Sequence, residues 1–273
     1  MTEESFYLSF YGIRVWLHLY TPELKPGARV LLLGSPLVYD FHWRKVLPEL
    51  LQMNCLVAVV DMPGFGHSDC GVGVPQDVET RSGIIWGVLD EVDAMCNAYP
   101  ATWHLVSHGT GMQTLLEMAQ MHPDSVSSLV FLSPLSAPPV LPRHTDLGTW
   151  YDAQLQRAHF KKTMESFAAY PLDDFIVNKF RQPFMRQNAQ DSVAKMLRSG
   201  QHQTKTGLGF CPAMVIHGGI DPLLTETEKT RLNERLKEAE THTLKTAGHF
   251  PMETHSKALR DYLRGWLMYN GDI

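Results

Sequence analysis

Residues 104–111, HLVSHGTG, decide how the rest of the chain is read. The apolar run TWHLVS reads as a buried strand, and Gly109 and Gly111 interrupt it. From Gly111 onward Met112, Leu115, Leu116 and Ala119 recur at helical spacing until Pro123 stops the pattern. The segment reads as a strand that turns sharply into a helix, with one residue at the apex of the turn. That residue is Gly109.

On either side, the runs ARVLLLG, CLVAVVDMPG, SSLVFLSP and PAMVIHGG are short, apolar and rich in β-branched residues, and each ends at Gly or Pro. Continuous apolar strands of this kind belong to parallel sheets covered on both faces. Alternating with helical segments, they predict an α/β fold, a doubly wound and mostly parallel sheet. The alternation fails between about residues 135 and 208. There stretches such as GTWYDAQLQRAHFKKTMESFAAY are helical and aromatic, and a compact domain rarely carries so long a structureless loop. The expected organisation is a core over 1–134 and 209–273 with an inserted helical cap over 135–208.

Bulk properties narrow the function. A net charge of -5 lacks the basic excess of nucleic-acid binders. The four cysteines, Cys55, Cys70, Cys96 and Cys211, show no C-x-x-C spacing, so neither a zinc site nor a dense disulfide framework is expected. No His/Cys/Asp/Glu cluster suggests a metal, and neither a G-x-G-x-x-G loop nor a P-loop suggests a nucleotide cofactor. MTEESFYLSF lacks a charged stretch followed by an apolar one, so no secretory signal is expected, and no apolar run reaches the roughly 18 residues of a membrane span. A cytoplasmic protein is expected.

Four landmarks follow one another along the chain: DMPGFGHSD at 61–69, SHGTG at 107–111, GGIDP at 218–222 and AGHFPME at 247–253. In order and separation they resemble the α/β-hydrolase fold family, in its capped, esterase and C–C-hydrolase-like form, over nearly the whole chain. The resemblance implies a catalytic triad in the order nucleophile, acid, histidine, with the nucleophile on the strand-to-helix elbow. Asp221 matches the acid and His249 the histidine, and LSPLSAPP offers no alternative carboxylate. At the elbow the family pattern G-x-S-x-G becomes Ser107-His108-Gly109-Thr110-Gly111. Ser107 is a tolerable small residue, whereas Gly109 leaves the nucleophile position vacant.

A second departure concerns the oxyanion hole, where the family has His-Gly-x and this chain has Leu33-Gly34-Ser35-Pro36. If Gly34 matches the family glycine, the donors are the backbone N–H groups of Ser35 and Thr110. If Gly34 matches the family histidine, the first donor falls on Pro36, which has no N–H. The first register is preferred because Pro36 and Leu37 then fit as well. Ser35, Thr110 and Ser107 are weak candidates as substitute nucleophiles, since none has the elbow geometry. His67, His108, His217 and His255 read as surface or packing residues.

Three readings remain open. The Asp221–His249 pair can act as a general base on water or on the substrate, giving a hydrolase of ester, thioester or C–C bonds, or a lyase or isomerase. The chain can instead be a non-catalytic binder of a small molecule, or carry an engineered serine-to-glycine change. Between Arg143 and Lys205 there are ten Lys/Arg against six Asp/Glu. That excess suggests steering of an anionic or acyl ligand, set against the plainer reading of a solvated helical surface. Trp150, Tyr151, Phe160, Phe167, Tyr170, Phe175 and Phe180 supply apolar bulk for packing or for a pocket.

Overall fold

The structure, a computed structural model, describes residues 1–96, 102–138, 145–198, 208–209 and 211–271. Eight strands form one sheet: β1 (Thr2–Phe10), β2 (Ile13–Thr21), β3 (Arg29–Leu33), β4 (Leu56–Val60), β5 (Trp103–His108), β6 (Val126–Leu132), β7 (Ala213–Gly218) and β8 (Glu240–Leu244). Their order is β1-β2-β4-β3-β5-β6-β7-β8. β1–β2 and β2–β4 pair antiparallel and every other neighbouring pair is parallel.

The helices are α1 (Leu47–Gln52), α2 (Val78–Met95), α3 (Gly111–Met121), α4 (Leu147–Leu155), α5 (Arg157–Ala168), α6 (Asp174–Arg181), α7 (Ala189–Arg198), α8 (Glu226–Arg235), α9 (Pro251–Thr254) and α10 (Ser256–Asn270). The strand period of two divides the core between the two faces of the sheet. Leu31, Leu33, Ala58, Val60, Leu105 and Phe131 pack against α2 and α3, in one cluster with Ile85, Leu89, Met112 and Leu115. Val30, Leu32, Val57, Val59, Val106 and Ile216 face the other way, toward Leu259, Leu263 and Leu267 of α10. This two-sided burial is what the unbroken apolar runs required, and it makes the expected doubly wound, mostly parallel sheet the observed one.

The sequence reading omitted β1, β2 and β8. β1 and β2 form a hairpin whose turn residues Tyr11 and Gly12 take φ of +53° and +80°, the geometry of a two-residue hairpin loop. β1 is largely exposed and β8 is a polar edge strand, so neither shows a continuous apolar run.

Helices α4 to α7 lie between β6 and β7 in the chain. The C-terminal end of α5 reaches down onto the core, where the Phe167 carbonyl accepts the His249 N–H at 2.7 Å. A Cβ on Gly248 would collide with the backbone of Phe167 and Ala168. Glycine at 248 is therefore what lets the interposed helices touch the loop carrying His249.

Candidate active site

β5 ends at His108, and Gly109 makes the turn into α3 with φ +57°, in the left-handed region that glycine enters without the cost other residues meet. The Gly109 N–H donates to Leu132 O (3.0 Å), and Gly109 O accepts from Leu135 N–H (3.1 Å) and Met112 N–H (3.4 Å). The apex is thus fastened to the end of β6. A Cβ at this position would meet only ordinary contacts, His249 Nε2 at 3.7 Å and Ser35 Oγ at 3.8 Å.

Asp221 and His249 sit on neighbouring turns after β7 and β8. The two turns interlock through Ile220 N–H to Ala247 O (3.1 Å) and Gly219 N–H to Leu244 O (2.8 Å). The glycine of each turn allows the approach, since a Cβ on Gly218 would overlap the Ala247 and Gly248 backbone. Asp221 Oδ1 accepts the Leu223 N–H at 2.8 Å and Oδ2 lies 2.8 Å from His249 Nδ1. Both side chains are almost wholly buried. An ionised carboxylate only accepts, so His249 Nδ1 carries the proton and Nε2 presents a lone pair. His249 lines a cavity of about 240 Å³, and its Nε2 takes no hydrogen bond among the described residues.

Thr110 lines the same cavity. Its N–H stands at the start of α3, where the first helical amides have no intrahelical partner. The Ser35 amide differs from expectation. It donates to Val38 O at 2.6 Å, while Ser35 O accepts the Val38 N–H at 3.2 Å. The chain folds back at Pro36 and closes this small antiparallel bridge, which takes the Ser35 N–H out of use as an oxyanion donor. The Ser35 hydroxyl, by contrast, lies at the cavity and 3.2 Å from His108 Nδ1.

His108, read from sequence as a packing residue, is fully buried and does more than pack. Its Nε2 is 2.8 Å from His249 O, and its ring meets those of His249 and Phe250. Burial, reinforced by the neighbouring His249, pushes its pKa well below the ordinary histidine value. The one sequence signal for this role is its place directly before the apex glycine. Ser107 Oγ is buried without a partner and does not line the cavity. His67 pairs with Asp61 (2.9 Å), and His255 bonds Thr246 and Thr254. The His67 pair braces the DMPGFGHSD turn, where buried Asp61 also accepts the N–H groups of Asp40 and His67.

The cavity wall is apolar: Leu155, Phe160, Met164, Phe167, Phe184 and Leu197 from the interposed segment face Leu37, Leu135 and Leu223 from the core. No Lys, Arg, Asp or Glu lines it among the described residues. Several of the basic residues weighed as a lid for an anionic ligand, or more plainly as a solvated helical surface, are engaged away from the cavity. Arg157 and Lys161 pair with Asp174, Arg181 donates to Leu155 O, and Arg186 and Lys195 donate to carbonyls of the 66–74 loop. Arg143 and Lys205 lie outside the described residues. Of the seven aromatic residues named from sequence, Trp150, Tyr151, Phe160 and Phe167 line the cavity, Phe180 packs in the core, and Tyr170 and Phe175 are exposed. All four cysteines are free thiols. No helix among the described residues is long and apolar enough to cross a membrane, and no cluster of metal-ligating side chains occurs among them.

A mostly parallel eight-stranded sheet with helices on both faces and an elbow between β5 and α3 has the architecture of the α/β-hydrolase fold. The family model for the α/β hydrolase fold matches residues 30–256, and the chain belongs to that family. A 2-hydroxy-6-oxononadienedioate/2-hydroxy-6-oxononatrienedioate hydrolase of Cupriavidus pinatubonensis is 24% identical over 232 residues, 80% of this chain and 78% of that one. Among solved structures, wild-type Cfl2 from Burkholderia cenocepacia superposes with a TM-score of 0.73 at 21% identity, covering 96% of this chain and 95% of that one. The haloalkane dehalogenase DatA from Agrobacterium tumefaciens superposes with a TM-score of 0.72 at 15% identity, covering 98% and 97%.

Proposed function

We propose that this chain is a hydrolase of uncharged, apolar small molecules in which His249, oriented by Asp221, acts as general base on water without a covalent intermediate. The observation that carries this reading is the free lone pair of His249 Nε2, directed at the space where the family keeps its nucleophile and where residue 109 has no side chain. A base within reach of a water and of the substrate carbon contributes roughly 10²–10⁴ in rate. The Thr110 N–H is the backbone donor for the developing oxyanion. The segment 135–208 serves as the cap, and its helices α4, α5 and α7 wall the apolar cavity. The C–C hydrolase relative is named for a dioate substrate. Among the described residues the cavity wall holds no Lys or Arg, which fits an uncharged ester better than a dicarboxylate, because an unpaired buried charge is strongly disfavoured.

The commitment of the Ser35 amide to Val38 favours a second reading, a non-catalytic binder of the same apolar ligands, since one backbone donor stabilises an oxyanion less than two. Incubation with p-nitrophenyl butyrate, followed by intact-mass spectrometry during turnover, separates the two. Release of nitrophenol with no acyl adduct supports the hydrolase. Thermal stabilisation by uncharged esters that are recovered intact supports the binder.

A further inference from the structure

His108 and the Ser35 hydroxyl have no part in the reaction as stated, yet both stand in its site. His108 Nε2 lies 2.8 Å from a backbone carbonyl, His249 O, which can only accept, so Nε2 carries the ring proton. Burial keeps the ring neutral, which leaves Nδ1 as an acceptor. Ser35 Oγ, 3.2 Å away, therefore donates its hydrogen to His108 Nδ1 and turns its lone pairs to its other neighbours. His249 Nε2 is also an acceptor, because Nδ1 is protonated toward Asp221. These two acceptors lie 3.8 and 3.7 Å from the point where a Cβ on residue 109 would stand. A small volume flanked by two acceptors suits a molecule that brings two hydrogens.

We propose that Ser35 Oγ and His249 Nε2 together hold the attacking water, one hydrogen to each, and that His108 is a positioning residue that fixes Ser35 as an acceptor. The inference rests on the reading of His249 as base. With both hydrogens engaged, the water oxygen directs a lone pair toward the acyl carbon of an ester whose carbonyl oxygen receives the Thr110 N–H. The oxygen bonds to that carbon, and the hydrogen held by His249 moves to Nε2. The bond from carbon to the alcohol oxygen then breaks, and the departing alkoxide takes the proton from Nε2. Acid and alcohol leave, and His249 is neutral again.

The test combines a crystal structure of the native chain that resolves ordered water with p-nitrophenyl butyrate kinetics of Ser35→Ala, His108→Leu and the double variant. The expected result is a water within hydrogen-bond distance of both atoms. Ser35→Ala should lower kcat roughly tenfold to hundredfold with KM and melting temperature held. His108→Leu should lower kcat likewise, and the double variant should add little, as coupled residues do. Native crystals with no water between the two atoms, or a Ser35→Ala kcat equal to the native one, overturn the proposal. A bridging water in a protein that hydrolyses nothing upholds the two-acceptor site and sinks the hydrolase reading. Turnover that needs His249 but shows no such water sinks the role of Ser35 alone.

Discussion

His249 Nε2 lies 3.7 Å from the point where a Cβ on Gly109 would stand, the nearest atom outside residues 108–110. The histidine of the site therefore already faces the elbow, and the elbow has room for a side chain. Gly109→Ser should fit at the cost of holding a serine at φ +57°, about 1–3 kcal/mol. The variant should gain labelling by a serine-reactive fluorophosphonate and hydrolyse short esters faster than the native chain. A variant that melts within a few degrees of native yet takes no label would show that the geometry around residue 109 does not support nucleophilic attack.

Asp221 holds the tautomer of His249, so its charge matters more than its volume. Asp221→Asn keeps the shape but can offer an N–H where His249 Nδ1 now donates, which favours the wrong tautomer. In a related triad such a change costs about 10⁴ in kcat. A loss of roughly 10²–10⁴ in kcat with KM little changed is expected here. Unchanged kcat in a folded Asp221→Asn protein would remove Asp221 from the mechanism.

Two buried histidines set an acid limit on stability. Burial drives the His42 pKa down to about 3 and holds that of His108 well below 6.5. Both stay neutral in the folded chain, whereas in the unfolded chain they titrate near 6.5. The unfolded chain thus takes up protons that the folded chain refuses. The stability conferred is fully present above about pH 6.5 and falls as the pH drops, by up to about 1.4 kcal/mol per pH unit for each histidine. Urea unfolding from about pH 7.5 to about pH 5 should show this decline, with a shallower slope in His42→Asn. Flat stability across that range would mean that these histidines can be charged within the fold.

Ligand charge should discriminate sharply, since among the described residues the wall of the cavity carries no Lys, Arg, Asp or Glu. p-Nitrophenyl butyrate and the p-nitrophenyl monoester of succinic acid have matched acyl length and differ in a terminal carboxylate. The uncharged ester should be favoured by roughly 10²-fold or more in kcat/KM, and only its non-hydrolysable amide analogue should raise the melting temperature. Equal or reversed preference would place a cation in the cavity that the wall, as described, does not hold.

The fold was legible because β3 to β7 are buried on both faces and so read as apolar runs. β1 and β8 were missed because exposed and edge strands share much of their composition with loops, and β2, IRVWLHLYT, because it shows alternation instead of the continuous apolar run that marked the other strands. Asp221 and His249 were singled out because GGIDP and AGHFPME resemble the acid and histidine landmarks of the family, and the structure brings the two side chains together. Three features were not legible because they depend on contacts distant in sequence. Whether the Ser35 amide is free depends on Val38 folding back upon it. The basic residues of 143–205 left a charged lid open beside the plainer reading of a solvated surface, and only the structure shows Asp174 and the 66–74 loop holding several of them. His108 needed the carbonyl of His249, 141 residues away, before its tautomer could be assigned.

The most direct test of the central claim compares the native chain with His249→Ala in hydrolysis of p-nitrophenyl butyrate at mildly alkaline pH, with melting temperatures taken alongside. The expected result is steady turnover by the native chain and a loss of roughly 10²–10⁴ in His249→Ala, with the fold intact. Equal rates from two equally stable proteins would contradict the assignment of His249 as the base.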